Sequence, residues 1–305
     1  MRPPLDLLLL AGAIGAGAFV LANRAAPFAR PGSPALPDWP GPAAAAPRYP
    51  WRTGSWEVAS ALYRRFPAPE GSARPQVDPG GFAEWLRCLP LLPGRGTVRY
   101  PSGNPKPDQS SHAAVLDLDT GPGDLQQCAD TILRLRAEYL WSTGDLDGLA
   151  FHFTSGDLCR WSDWASGVRP RVSGNHVEWV RSAEPDDSRA SFLDWLRVVF
   201  TYAGTISTRR EMATVASWTE LAAGDVLVRA GSPGHAVIVV DVAERPGGLE
   251  RAVLLAQGYM PAQCPHVLAR PGTDGEDAWF PLPDGGTLEV AGWEFGEEDL
   301  RRFAD

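Results

Sequence analysis

The stretch that most constrains the fold is residues 221–257, which read LAAGDVLVRAGSPGHAVIVVDVAERPGGLERAVLLAQ. Three apolar runs, at residues 226–228, 236–240 and 252–256, are separated by turns rich in glycine and proline. This pattern is typical of a meander of three antiparallel strands. Because the middle run is apolar at every position, we expect a strand that is buried on both faces.

Two polar side chains occupy matching ends of these strands. His235 opens the middle strand and Gln257 ends the next one. Antiparallel pairing places the start of one strand beside the end of its neighbour, so we expect the two side chains to be neighbours. The start of a strand beside a loop is also where catalytic side chains are often held.

The clearest helix pattern covers residues 124–141. Asp124 is the predicted N-cap, Gln127 follows as in a capping box, and Leu125, Cys128, Ala129, Ile132, Leu133 and Leu140 form an apolar stripe. Cys128 therefore falls in the first turn, where free backbone N–H groups and the helix dipole favour a thiolate. We expect this stripe to cover strand 236–240, with the His235 face of the sheet meeting the start of the helix. Residues 297–303 are predicted to form a further, closing helix. Helices followed by an antiparallel sheet define an α+β fold.

The order Leu-x-x-Gly-Asp, short strand, Gly-His, apolar strand, turn, and a strand ending in a polar residue resembles the second half of NlpC/P60 and CHAP cysteine peptidases and amidases. The resemblance implies a papain-like fold, with an antiparallel sheet packed on an N-terminal helix and a large insertion at residues 149–220. It also implies that Cys128 is the nucleophile, His235 the general base and Gln257 the residue that orients the base. The N–H group of Cys128 and the side chain of Gln127 are candidate oxyanion donors.

A longer resemblance begins at about residue 49. The segments DLQQCADTILRLRAEYLW, FHFTSGD, SPGHAVIVVDV and YMPAQ resemble an uncharacterised bacterial family, domain-of-unknown-function family 4846. Membership brings no established activity, so the function has to be argued from the residues.

Each candidate residue also has a structural interpretation. Cys128 fits a core cysteine on the apolar stripe, and His235 fits a residue that closes the sheet through a hydrogen bond. His112 is a second candidate base, because the strand after it leads to the helix of Cys128, but a loop hydrogen bond explains it as well. His266 lies two residues after Cys264 and is expected on a strand edge at the surface.

Composition excludes several classes of function. A chain of 305 residues that is 44% apolar can bury the core of a large domain. Its net charge of −9 and the lack of a basic cluster argue against nucleic-acid binding. Its four cysteines, Cys88, Cys128, Cys159 and Cys264, form no CxxC pair, so we expect no structural zinc and no cofactor.

The N-terminus indicates export. Residues 7–22 form an apolar run without charge, so residues 1–24 are predicted to be a signal peptide or a membrane anchor that inserts residues 5–22. Residues 25–48, rich in alanine and proline, are a predicted linker without core residues, and residues 49–305 are a predicted single domain. The protein is then periplasmic or extracellular, where disulfides form, and a catalytic Cys128 has to remain a free thiol.

Two functions fit these observations. The first is a thiol hydrolase that cleaves an amide bond in a peptide, including cell-wall peptide. The second is a catalytically inactive papain-like fold that binds cell-wall glycan, peptide or a protein partner.

Overall fold

The computed structural model describes residues 39–42, 47–248, 250–273, 275 and 277–304. The helices are α1 (Leu62–Arg65), α2 (Phe82–Arg87), α3 (Cys128–Thr143), α4 (Trp161–Ala165), α5 (Arg189–Tyr202) and α6 (Thr205–Glu211). Short 3-10 helices occupy Val58–Ser60, Trp218–Glu220 and Glu297–Asp299. The predicted leader lies outside the described residues.

The strands are β1 (His112–Val115), β2 (Ala150–His152), β3 (Leu158–Arg160), β4 (Val168–Ser173), β5 (His176–Arg181), β6 (Ala213–Thr214), β7 (Val226–Arg229), β8 (His235–Glu244), β9 (Arg251–Gln257), β10 (His266–Leu268), β11 (Trp279–Pro281), β12 (Leu288–Val290), β13 (Trp293–Phe295) and β14 (Leu300–Arg302). Eight of them form the main sheet, in the order β1-β10-β9-β8-β7-β14-β6, with β11 also paired to β9. All these pairs are antiparallel. The mixed α+β class with an antiparallel sheet is confirmed, and so is the meander of β7, β8 and β9.

Strand β8 is buried on both faces, as its sequence predicted. Ala236 and Ile238 pack with Ile132 of α3 in one apolar cluster, whereas Val237 and Val239 pack with Phe295 in another cluster on the opposite face. The side chains of a strand alternate between faces, so successive β8 residues contribute to the two clusters in turn.

The segment between α3 and β7 has a core of its own. Leu133 and Leu140 of α3 pack against Phe153, Phe192 and Trp195 in a third cluster. Helix α3 thus has apolar side chains in two clusters, one against the sheet and one against this segment. The two clusters together hold α3 between the sheet and this segment.

A buried ion cluster ties the chain before α3 to the middle of β8. The carboxylate of Asp241 accepts from Nε of Arg74 and from Nε of Arg87, both at 2.6 Å. All three side chains are fully buried. Buried charges of this kind are stable only while they remain paired.

Three sequence expectations are wrong. The linker does carry a core residue, because Trp39 is buried and its ring lies 5.0 Å from that of Tyr63. Helix α3 starts later than predicted, with Gln127 as its N-cap, because Asp124 Oδ1 instead accepts from Gln127 Nε2 and from the N–H of Ala262. The predicted closing helix at residues 297–303 is a 3-10 turn followed by β14, because β14 pairs with β7 and β6.

Candidate functional site

The hydrogen bond between His235 and Gln257 lies at one end of the sheet. His235 Nε2 is 2.7 Å from Gln257 Oε1, and both residues are 2% exposed. The rings of Tyr259 and Trp293 lie 5.0 and 5.2 Å from the His235 ring, and the Trp293 ring is stacked on it. Antiparallel pairing of β8 with β9 positions the pair, so the predicted neighbourhood of the two residues is confirmed.

A second histidine continues this hydrogen-bond chain. Gln257 Nε2 lies 3.2 Å from His266 Nε2, and His266 Nδ1 lies 2.9 Å from the backbone oxygen of Cys264. His266 is fully buried, because β10 pairs with β9 on one side and with β1 on the other. The expectation that it lies on a strand edge at the surface is wrong.

Cys128 is the first residue of α3, and its thiol is free. The residue is 8% exposed. The backbone N–H groups of Ala236, Ala129 and Cys128 itself act on the sulfur and favour the thiolate. The sulfur therefore lies at the start of β8, beside the N–H group of the residue that follows His235.

The sulfur and the imidazole approach this strand from opposite faces. Helix α3 packs on the face of Ala236 and Ile238, whereas the His235 ring contacts Trp293 and Phe295 on the other face. The expectation that the His235 face meets α3 is thus wrong, because His235 alternates with Ala236 along the strand. Among the described residues, no hydrogen bond joins Sγ of Cys128 to the His235 ring, and Nδ1 of that ring has no hydrogen-bond partner.

Burial governs the ionisation of both groups. It raises the pKa of the Cys128 thiol, and the N–H groups of Ala236 and Ala129 offset only part of the effect. It lowers the pKa of His235 to about 4, against a smaller opposing effect of the Gln257 hydrogen bond. Near neutral pH the Cys128 thiol and the His235 imidazole are therefore both neutral in the free protein.

A cleft of about 300 Å³ opens next to Cys128. Its walls come from the start of α3, from the end of α5 with the loop after it, and from residues 231–234 ahead of β8. Met260 lies on the rim and is 57% exposed. Cys128 lines this cleft.

The two remaining candidates, Gln127 and His112, lie in different places. Gln127 lies beside Cys128 in the same cleft, where its Nε2 donates to Asp124 Oδ1 at 3.0 Å. His112 is buried on β1, and its Nε2 lies 3.3 Å from the backbone oxygen of Gly96. His112 is therefore in a loop hydrogen bond, and its ring lies 6.0 Å from that of His266.

The sequence interpretation missed three residues around His235, namely Tyr259, Trp293 and His266. The pairing of the His266 strand with β9 could have been predicted from the sequence. His266 begins a short apolar run that follows Gln257 after a loop, and this pattern is typical of a strand that pairs with the preceding one. Tyr259 and Trp293 carried no comparable pattern. In the described part of the chain, no cluster of three or more His, Cys, Asp or Glu side chains could hold a metal ion.

The structure and site together define an α+β protein with a cysteine at a helix start and a buried His–Gln–His chain at the adjacent sheet end. A family model described as domain of unknown function (4846) matches residues 62–302, so the chain belongs to that family. No curated protein and no solved structure matches the chain. Within the described ranges, none of the helices has the length and apolar character needed to cross a bilayer.

Proposed function

We propose that this protein is a papain-like thiol hydrolase that cleaves an amide bond of a peptide outside the cytoplasm. Cys128 is the nucleophile, His235 the general base, and Gln257 orients the base. The cleft of about 300 Å³ receives the peptide, and cell-wall peptide is the substrate class consistent with an exported protein.

One observation supports this proposal more than any other. Among the described residues, the His235 ring nitrogens have one hydrogen-bond partner, Gln257 Oε1, which engages Nε2 and leaves Nδ1 available. The sulfur of Cys128 lies at the N–H group of the next residue, Ala236. The thiol and the imidazole thus lie at the same strand start, on its two faces, and Cys128 lines the cleft.

The reaction follows from these positions. His235 Nδ1 accepts the thiol proton while Sγ attacks the amide carbonyl carbon, and the N–H group of Cys128 stabilises the resulting oxyanion. The C–N bond then breaks, the amine leaves with the proton held by His235, and a thioester remains on Cys128. Water, deprotonated by His235, hydrolyses the thioester and restores the thiol.

In the free protein the thiol and the imidazole lie on opposite faces of β8, so the proposal requires one of them to move on substrate binding until Sγ and Nδ1 come within hydrogen-bond distance. Catalytic hydrogen bonds are commonly long in an unliganded enzyme and shorten in the complex with substrate. A neutral thiol and a neutral imidazole are also the protonation states from which general-base activation starts.

The competing function is a catalytically inactive papain-like domain that binds cell-wall glycan, peptide or a protein partner. The missing hydrogen bond between Sγ and the imidazole favours it, as does the raised pKa of Cys128. The two functions differ in one respect, since only the hydrolase needs the sulfur to be nucleophilic.

The test is to incubate the protein with soluble cell-wall peptide fragments and with a peptide library, and to detect new amino termini by mass spectrometry. The hydrolase produces new termini, and Cys128→Ser and His235→Ala abolish them. His176→Ala is the matched control, because His176 is exposed on β5 and should leave cleavage unchanged. Binding of a fragment without cleavage, at equal affinity in Cys128→Ser, would establish the binding function instead.

A further inference from the structure

The chain of hydrogen bonds beyond Gln257 ends on a group that can only accept. His266 Nδ1 lies 2.9 Å from the backbone oxygen of Cys264. A carbonyl oxygen has no proton to give, so Nδ1 must carry the proton of this ring. In a neutral imidazole the other nitrogen is then an acceptor. Burial keeps the ring neutral by lowering the pKa of His266 to about 3.

The acceptor at His266 Nε2 determines which end of the Gln257 amide faces it. Gln257 can donate only from Nε2, which lies 3.2 Å from His266 Nε2. Its Oε1 therefore points the other way, to His235 Nε2 at 2.7 Å. An amide turned by 180° would place its oxygen against the acceptor at His266 Nε2, so that hydrogen bond would be lost.

The last step concerns His235 itself. Because Oε1 accepts, His235 Nε2 carries the proton and Nδ1 has the free electron pair. Nδ1 is the nitrogen that lacks a partner among the described residues and that the proposed reaction uses as the base.

We propose that His266 is a positioning residue that fixes the amide orientation of Gln257 and thereby the tautomer of His235. The proposal deepens the hydrolase proposal, because it says how the base nitrogen is kept unprotonated, although the tautomer itself does not depend on catalysis. His266 does not touch the substrate. It acts from within the sheet, where β10 lies between β9 and the edge strand β1.

The position of the His266 side chain allows it to fix the orientation of the Gln257 amide. The residue is fully buried, and its Cα pairs with that of Gln257 across β9 and β10. Its ring also lies edge-on to that of His112 at 6.0 Å. Packing against both neighbouring strands restricts rotation of the imidazole by 180°, which would exchange the positions of Nδ1 and Nε2.

The test compares two substitutions of similar size. His266→Leu removes the acceptor, whereas His266→Gln restores an acceptor oxygen at about the reach of Nε2. Protein labelled with ¹⁵N at histidine is recorded by long-range ¹H–¹⁵N spectroscopy, in which protonated and unprotonated ring nitrogens have distinct shifts. In the wild type we expect His235 protonated at Nε2 and His266 protonated at Nδ1.

In His266→Leu we expect a mixture of His235 tautomers and a fall of about fivefold in the rate at which Cys128 is alkylated, since one buried hydrogen bond is lost. His266→Gln should restore the wild-type tautomer and keep the rate within about twofold. His176→Leu controls for the loss of a histidine, because His176 is exposed.

Two results would overturn the inference: a wild-type His235 protonated at Nδ1, which needs no variant to observe, or an unchanged His235 tautomer in folded His266→Leu. If the tautomer shifts as expected while the wild type cleaves no peptide, the positioning role stands and the hydrolase proposal fails.

Discussion

Gly258 is a residue at which a single added methyl group should disturb the site. A Cβ at this position would lie 2.2 Å from Thr131 Oγ1 and 2.7 Å from the backbone oxygen of Gln127. Real Cβ atoms do not approach oxygen this closely, so the first turn of α3 has to move away from the end of β9. Gln127 directly precedes Cys128, so the same displacement carries the sulfur away from the N–H group of Ala236.

The magnitude follows from the two contacts. The Thr131 side chain can rotate, but the Gln127 oxygen is backbone and cannot yield without a shift of the helix. Overpacking of this kind costs about 1–3 kcal/mol of unfolding free energy. We therefore expect Gly258→Ala to lower stability by that amount and to reduce alkylation of Cys128 in a protein that still folds.

The assay is urea unfolding followed by circular dichroism, with alkylation of Cys128 measured by peptide mapping on the same samples. Gly54→Ala is the control, because a Cβ there meets no atom within 4 Å and the backbone is not left-handed. It should leave both measurements unchanged. If Gly258→Ala proves as stable and as reactive as Gly54→Ala, then the close packing of α3 on β9 is not what positions the sulfur.

Two further predictions concern stability. Asp241→Asn removes the shared partner of two buried arginines, so it should lower the free energy of unfolding in urea by about 3–5 kcal/mol. Its control, Asp277→Asn, breaks the half-exposed pair with Arg270 and should lower it by less than about 1 kcal/mol. Equal losses in the two variants would show that burial of the Asp241 pair is not what makes it stabilising. Burial raises the pKa of Asp130 to about 7, so its protonated form is favoured in the folded state and stability should fall as the pH rises from about 4 to about 7. Asp130→Asn should remove that decline and be more stable than the wild type above pH 7, and an unchanged pH dependence would show that Asp130 ionises normally.

The parts of the fold that the sequence predicted are those decided by local pattern. The meander, the burial of β8 on both faces and the proximity of His235 to Gln257 followed from strand periodicity and turn residues. The structure contradicts a sequence-based prediction where tertiary contacts override the secondary structure that the local pattern favours. Residues 297–303 have a helical pattern but become a turn and β14, because an open edge of β7 is available to them.

The same limit applies to the site. The sequence correctly predicted Cys128 at a helix start and His235 at a strand start. It did not predict that the two lie on opposite faces of β8, because the face of a sheet that a helix covers depends on tertiary packing and not on the periodicity of apolar residues. His266 is buried because β10 pairs with both β9 and β1. The order of strands in a sheet cannot be predicted from a local sequence pattern, so this burial was missed. Trp39 was assigned to a linker by the composition around it, although its own side chain is buried.

The most direct test of the central claim is the pH dependence of Cys128 alkylation in the wild type and in His235→Ala. Peptide mapping follows Cys264 in the same sample, and as a half-buried thiol it is an internal reference. Since the pKa of His235 is lowered to about 4, its imidazole is unprotonated throughout the neutral range. We predict that wild-type Cys128 reacts about 100-fold faster than in His235→Ala at about pH 7. The variant should react only at alkaline pH, where the thiol with its raised pKa ionises. Identical profiles for Cys128 in two folded proteins would contradict the assignment of His235 as its base.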